Sequence, residues 1–73
     1  MQRNYRKLQI LQILFESPLS VEDIADKAGI NKHNALVYCL RYWKWGLLQK
    51  INSNPTTFDI TDRGVQRIEY LLS

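Results

Sequence analysis

The chain has only one cysteine, Cys39, and one histidine, His33, among its 73 residues. A single thiol excludes an intramolecular disulfide, and this pair falls short of the three or four ligands that a zinc site needs. Three scattered glycines form no phosphate-binding loop, and neither Ser20 nor Cys39 has a base beside it to activate a nucleophile. The sequence therefore predicts a protein with no metal, no cofactor and no enzymatic activity, and the cytoplasm is the expected compartment.

Long apolar runs are also missing. The N-terminal stretch is basic and then apolar, but Gln9, Gln12 and Glu16 interrupt it. A membrane span needs about 20 apolar residues, and a signal peptide needs an unbroken apolar core. We therefore expect no membrane partner, and we expect residues 1–73 to form a single domain.

Acidic residues are absent from the middle of the chain. Ten Lys and Arg against seven Asp and Glu give a formal net charge of +3. No Asp or Glu occurs between residues 27 and 58, whereas that segment holds Lys27, Lys32, Arg41, Lys44 and Lys50. A segment with one sign of charge can attract phosphate groups, so this distribution favours a nucleic-acid partner.

The residues that are present predict amphipathic helices. Apolar side chains recur at helical spacing from about Asn4 to Glu16, and Ser17-Pro18 ends this helix. Ser20 can cap a short second helix, and Gly29 suits the left-handed residue that closes it. Asn31 can then cap a third helix, so two helices are joined by a tight turn that contains glycine.

The third helix is expected from Lys32 to about Trp45. At roughly 100° per residue, one side of it should face the core. That side carries Ala35, Tyr38, Cys39 and Tyr42, while His33, Val37, Leu40, Arg41 and Lys44 fall broadly opposite.

A hairpin and a last helix follow. Residues 47–51 and 56–60 are predicted strands, separated by the turn formers of residues 52–55. Thr61 can cap a final helix from Asp62 to Leu72. The predicted fold class is mainly α with a small β-hairpin, in the order helix, helix, helix, hairpin, helix.

Three blocks of the sequence resemble the winged helix-turn-helix superfamily. Residues 24–32 (IADKAGINK) are similar to its helix-turn-helix segment, and Gly46-Leu47-Leu48 is similar to the start of its wing. Ile60-Thr61-Asp62-Arg63-Gly64 matches the segment that closes the wing and opens the final helix. The resemblance covers nearly the whole chain and is closest to small archaeal or prokaryotic DNA-binding transcription regulators, including viral and plasmid-borne ones.

This resemblance implies that the third helix, about residues 32–45, enters the major groove of double-stranded DNA. The wing, about residues 47–60, would then contact the flanking backbone, and the protein would regulate transcription by specific or semi-specific DNA binding. The residues mapped to DNA are Lys32, His33, Asn34, Val37, Arg41, Lys44, Lys50, Asn52, Ser53 and Asn54. At the helix start Asn34 can pair with adenine and Lys32 with guanine or phosphate, although such residues also occur simply as helix-end caps.

Leu36, Leu40 and Trp43 share one face of the third helix. Three interpretations are open: burial against the first helix or the hairpin, contact of Leu36 and Val37 with thymine methyl groups, or a surface for a protein partner. The last of these gives the alternative function, a winged-helix module for protein–protein interaction.

The first and last helices carry apolar stripes that are wider than one core contact requires. The sequence therefore predicts a homodimer that pairs these two helices. The expected interface residues are Leu8, Leu11, Phe15, Ile68 and Leu72.

Overall fold

The computed structural model describes residues 3–73, with side chains described from residue 5 onward. The helices and strands are α1 (Arg3–Glu16), β1 (Leu19–Ser20), α2 (Val21–Ala28), α3 (Lys32–Lys44), β2 (Leu48–Ile51), β3 (Thr57–Ile60) and α4 (Asp62–Leu72). The predicted order of helices and hairpin is confirmed, and the ends that differ are shifted by single residues. For example, α3 ends at Lys44, and Trp45 is its C-cap.

Local capping defines where the last three helices begin. Ser20, Asn31 and Thr61 each accept a hydrogen bond from the backbone N–H three residues later, at 3.3, 2.8 and 3.1 Å respectively. These bonds satisfy N–H groups that have no partner inside the helix. Gly29 closes α2 in the left-handed region, at φ +71°. All four residues were assigned these positions from the sequence.

The sheet has three strands, whereas the sequence predicted two. The strand order is β1-β3-β2, with both pairs antiparallel. In the extra pair, Leu19 lies opposite Phe58 and Ser20 lies opposite Thr57. Two residues are too few to show the alternation that marks a strand in sequence, and their partner is distant in the chain. The strand β1 thus connects the entrance of α2 to the end of β3 that lies next to the hairpin loop.

The core lies between α1, α2, α3 and the sheet. The predicted inner side of α3 is confirmed, since Ala35, Cys39 and Tyr42 are buried and Tyr38 packs half-buried against them. From the other elements the core takes Ile10, Leu11, Leu14, Ile24, Ala25, Leu47, Leu48 and Phe58. Over the described part of the chain, no helix is both long enough and apolar enough to cross a bilayer.

Candidate nucleic-acid interface

The outward side of α3 faces solvent along its length. Because its buried residues fix the inner direction, helical geometry places His33, Val37, Leu40 and Lys44 at the centre of the outward side. All four are exposed. The start of the helix is also open to solvent, since Lys32 and Asn34 are exposed there. The face that the sequence analysis assigned to DNA is therefore open.

The hairpin lies beside α3, with a direct contact near the C-terminus of the helix and a shared groove near its N-terminus. Near the C-terminus of α3, the Lys50 Nζ atom of β2 lies 4.7 Å from the centroid of the Trp43 ring, a cation–π contact. Near the N-terminus of α3, Leu36 and the hairpin residues Pro55 and Thr56 line one groove of about 440 Å³. Lys32 and His33 also line this groove. Helix and hairpin thus form one continuous surface.

The structure places every residue predicted to contact DNA on the solvent side. Lys32, His33, Asn34, Val37, Arg41, Lys44, Lys50, Asn52, Ser53 and Asn54 are all exposed. We call this set of ten the α3–wing face. The hydroxyl of Ser53 donates a hydrogen bond of 2.8 Å to the Pro55 carbonyl oxygen, which shapes the hairpin tip.

The cations of the α3–wing face are spread across it. Lys32 and Lys50 lie on the hairpin side, as their contacts with the groove and with Trp43 show. Arg41 follows Lys32 by nine residues, which places it about 180° further around the helix. Its guanidinium carbon lies 5.9 Å from the centroid of the Tyr38 ring. The positive charge therefore borders the outward side at two margins, with Lys44 between them.

One acidic residue lies at this surface, and the sequence analysis did not assign it there. Glu22, in the first turn of α2, lines the same groove as Lys32 and His33. Pro55 and Thr56 of the hairpin, which the sequence analysis placed in the wing, line it too. The acid-free segment of the sequence did not indicate Glu22, because α2 precedes that segment in the chain but packs against α3 in the fold. The packing of helices in a helix-turn-helix motif is the signal that would have placed it.

Leu36, Leu40 and Trp43 are partly covered. Their side chains are 38–41% exposed, and the hairpin lies beside two of them, Leu36 and Trp43. Of the three interpretations, partial burial against the hairpin applies to Leu36 and Trp43. The remaining exposed area gives the α3–wing face an apolar component.

The residues predicted for a dimer interface divide into three groups. Phe15 and Leu72 are 60% and 62% exposed, while Leu8 and Ile68 are half-buried. Leu11 is fully buried in the core of its own chain, which corrects its assignment to a surface between two copies. The reason is that α1 packs against three elements, α2, β3 and α4. Together they bury a wider part of its apolar stripe than a single neighbour would bury.

Cys39 lies in the core, as predicted, and is fully buried. Burial raises the pKa of its thiol to about 12. The thiolate, which is the reactive form, is therefore strongly disfavoured in the folded protein. Within residues 3–73, no three His, Cys, Asp or Glu side chains gather closely enough to bind a metal ion.

Comparison of the sequence with protein-family models and with curated proteins finds no match. The fold, in contrast, matches solved structures. One is Sco5413, a MarR family transcriptional regulator from Streptomyces coelicolor, with a TM-score of 0.84 and 22% identity over 90% of this chain and 49% of that one. Another is the transcriptional regulator BldR from Sulfolobus solfataricus, with a TM-score of 0.83 and 20% identity over 90% of this chain and 50% of that one.

The chain thus spans about half the length of both regulators. Identities of 22% and 20% carry information about the fold alone. The match covers 90% of this chain in both comparisons. This chain has the winged helix-turn-helix fold.

Proposed function

We propose that this protein binds double-stranded DNA through the α3–wing face and regulates transcription. The observation that carries the proposal is that the uncovered start of α3 and the hairpin form one continuous surface bordered by cations. An exposed α-helix fits the major groove, and the residues at its N-terminus are the ones that reach base edges. The two solved structures of like fold are transcriptional regulators, which is consistent with this function.

In this proposal the contacts divide by chemistry. Lys32 and Asn34, on the first turn of α3, read base edges or hold the adjacent phosphate. Lys50 and the exposed polar tip at residues 52–54 contact the flanking backbone, and Arg41 and Lys44 contact phosphates along the groove. Val37, at the centre of the outward side, packs on a thymine methyl group.

The test is the salt dependence of duplex binding, measured by fluorescence anisotropy. Each phosphate contact that is lost should reduce the slope of log K against log salt concentration by about 0.9. We expect Lys32→Ala combined with Lys50→Ala to weaken binding and to reduce this slope by about 2.

Lys27→Ala serves as the matched control. Lys27 is an exposed cation on the last turn of α2 and borders a cleft with α1, away from the α3–wing face. Its loss removes one positive charge, as each of the two test substitutions does, and should leave the slope unchanged. Equal effects of the control and of either test substitution would contradict the proposed face, as would failure of the wild-type protein to bind any duplex at low salt.

We further propose that the protein acts as a homodimer through α1 and α4. Support comes from Phe15 and Leu72, large apolar side chains that expose more than half of their surface on these two helices. Leu8 and Ile68 extend the same faces as half-buried residues. A two-fold dimer would recognise a palindromic site with half-sites about one helical turn apart.

A second candidate function, recognition of a protein partner, is favoured by the exposed apolar area of Leu36, Leu40 and Trp43. Trp and Leu clusters of this kind occur at protein interfaces. Leu40→Asp discriminates between the functions. If α3 faces a protein, the substitution should abolish partner binding. If α3 faces DNA, it should weaken duplex affinity, because it places a carboxylate beside the phosphates.

A further inference from the structure

A second group of cations lies away from the α3–wing face. Arg63 and Arg67 stand one turn apart on α4 and line two adjoining clefts of about 350 and 470 Å³. The first cleft also includes Gln66 and Tyr70, and the second includes Lys7 and Trp45. Neither shares a lining residue with the groove at the hairpin tip.

Every charged side chain that lines these two clefts is a cation. Lys7 shows the effect of this concentration of charge, because burial first and the charge of Arg67 second lower its pKa. Like charges brought together without a carboxylate repel each other, and an anion bound between them would remove that repulsion. The site therefore carries a positive charge that a bound anion would neutralise.

The geometry also favours an anion with several oxygens. Arginine presents a planar fork of donors that matches phosphate, and here two such forks lie on one helix face. Gly46 lies against Arg63, since a Cβ at that position would be only 3.2 Å from its Nη1 atom. Two exposed aromatic rings flank the arginines: Lys7 Nζ lies 4.9 Å from the Trp45 ring centroid, and Arg67 Cζ lies 5.7 Å from that of Tyr70.

We propose that Lys7, Arg63 and Arg67 form a binding site for phosphate groups, distinct from the α3–wing face. Two sources share this chemistry: a small molecule such as a nucleoside polyphosphate, or the backbone of a second nucleic-acid segment. A volume of 350–470 Å³ is that of a small-ligand cleft, and the flanking rings can stack on a nucleobase.

The two tryptophans of the chain allow each surface to be followed separately. Trp43 lies under Lys50 on the α3–wing face, and Trp45 lies under Lys7 in the second site. Trp43→Phe leaves Trp45 as the only tryptophan, and Trp45→Phe leaves Trp43. Emission of each variant is titrated with pyrophosphate, with ATP and with a DNA duplex, at constant ionic strength.

If the site binds a phosphate-bearing small molecule, we expect saturable changes in Trp45 emission with pyrophosphate and ATP. If it binds the phosphate backbone of a nucleic acid, we expect such changes with the duplex alone. In either case Arg63→Gln with Arg67→Gln should weaken the response at least about tenfold, as expected for lost charge-assisted hydrogen bonds. Lys27→Gln, which removes an exposed cation that lines neither cleft and lies outside the α3–wing face, should not change it. Arg67→Gln alone is the second variant if the double substitution impairs folding.

Trp45 emission that responds to none of the three probes would overturn the proposal. A response that survives both arginine substitutions in a folded protein would overturn it too. The outcome is independent of the proposed DNA-binding function, which the Trp43 reporter monitors with the same duplex.

Discussion

At the scale of single residues, Gly64 shows how closely the last helix approaches the backbone that leads into β2. A Cβ at this position would overlap the Leu47 carbonyl oxygen and would lie 2.6 Å from Cγ1 of Ile60. The first of these is backbone and cannot rotate away. Glycine is therefore required here by close packing, and its φ angle is not in the left-handed region.

We expect Gly64→Ala to lower the free energy of unfolding by about 1–3 kcal/mol, the usual cost of overpacking. Alanine is the better helix former, so intrinsic propensity alone predicts the opposite sign. Urea denaturation measures the change. Gln66→Ala, at an exposed position on the same helix, is the control and should stay within about 0.5 kcal/mol of wild type. A Gly64→Ala protein as stable as wild type would show that α4 can shift.

Two buried, weakly acidic side chains of α3, the Cys39 thiol and the Tyr42 phenol, predict how stability changes at alkaline pH. Burial raises the pKa of the Cys39 thiol to about 12, and chiefly burial raises that of Tyr42 to about 12 as well. Ordinary values are 9.0 and 10.0, so the unfolded chain loses these protons first. Their contribution to stability is complete below pH 9 and is lost between pH 9 and 12.

The free energy of unfolding should therefore decline over this interval in a pH series of urea titrations. Cys39→Ala should make the decline shallower from pH 9 upward, and Tyr42→Phe should do so from pH 10 upward. Identical pH profiles for wild type and both variants would show that neither group carries the linkage.

At the scale of elements, the starts of α2, α3 and α4 could be predicted because their signals are local. A capping side chain and its N–H partner are three residues apart, and the turn between α2 and α3 contains its own left-handed glycine. Asn31 is the cap with the greatest functional consequence, because it orders the turn that presents Lys32 and Asn34.

Asn31→Ala should cost about 1 kcal/mol of stability through loss of the cap. It should also weaken duplex binding, since the first turn of α3 frays more readily. Asn31→Ser retains an accepting oxygen and should restore most of both properties. Thermal unfolding and anisotropy titrations together test this, and equal stability of the Ala and Ser variants would contradict a capping role.

The elements that escaped prediction depend on distant partners. Residues 19 and 20 become a strand only because β3 arrives beside them from the other end of the chain. Leu11 looked like a surface residue because the apolar stripe of α1 is wide, and the sequence does not show that three elements cover it. Periodicity identifies which residues share a helix face, but the angle over which neighbours bury that face is set by the tertiary structure.

At the scale of the whole molecule, the candidate site was predictable in outline. All ten residues assigned to the α3–wing face are exposed, because helical periodicity separates the inner and outer sides of α3. The presence of Glu22 in the groove and the contact of Lys50 with Trp43 were not predictable, since both join residues of different elements. The same applies to Lys7, which meets Arg67 from the opposite end of the chain.

The proposed dimer gives a prediction at this scale. Phe15→Glu and Leu72→Glu place charges at the two most apolar exposed positions of the α1 and α4 pair. We expect each to convert a dimer to a monomer in sedimentation equilibrium at micromolar concentrations, and to weaken binding to a palindromic duplex. Val37→Glu, on the outward side of α3, should leave the mass unchanged. A wild-type protein that sediments as a monomer would refute the dimer.

The position of β3 in the middle of the sheet has a mechanical consequence. Because β1 bonds it on one side, at residues 57 and 58 beside the loop, and β2 on the other, the wing cannot swing as a separate flap. Any displacement of the wing by a bound duplex must pull on the entrance of α2, so the two move as a unit and only the loop at residues 52–56 can adapt alone. Amide hydrogen exchange should accordingly be slowest along β3 and fastest in that loop.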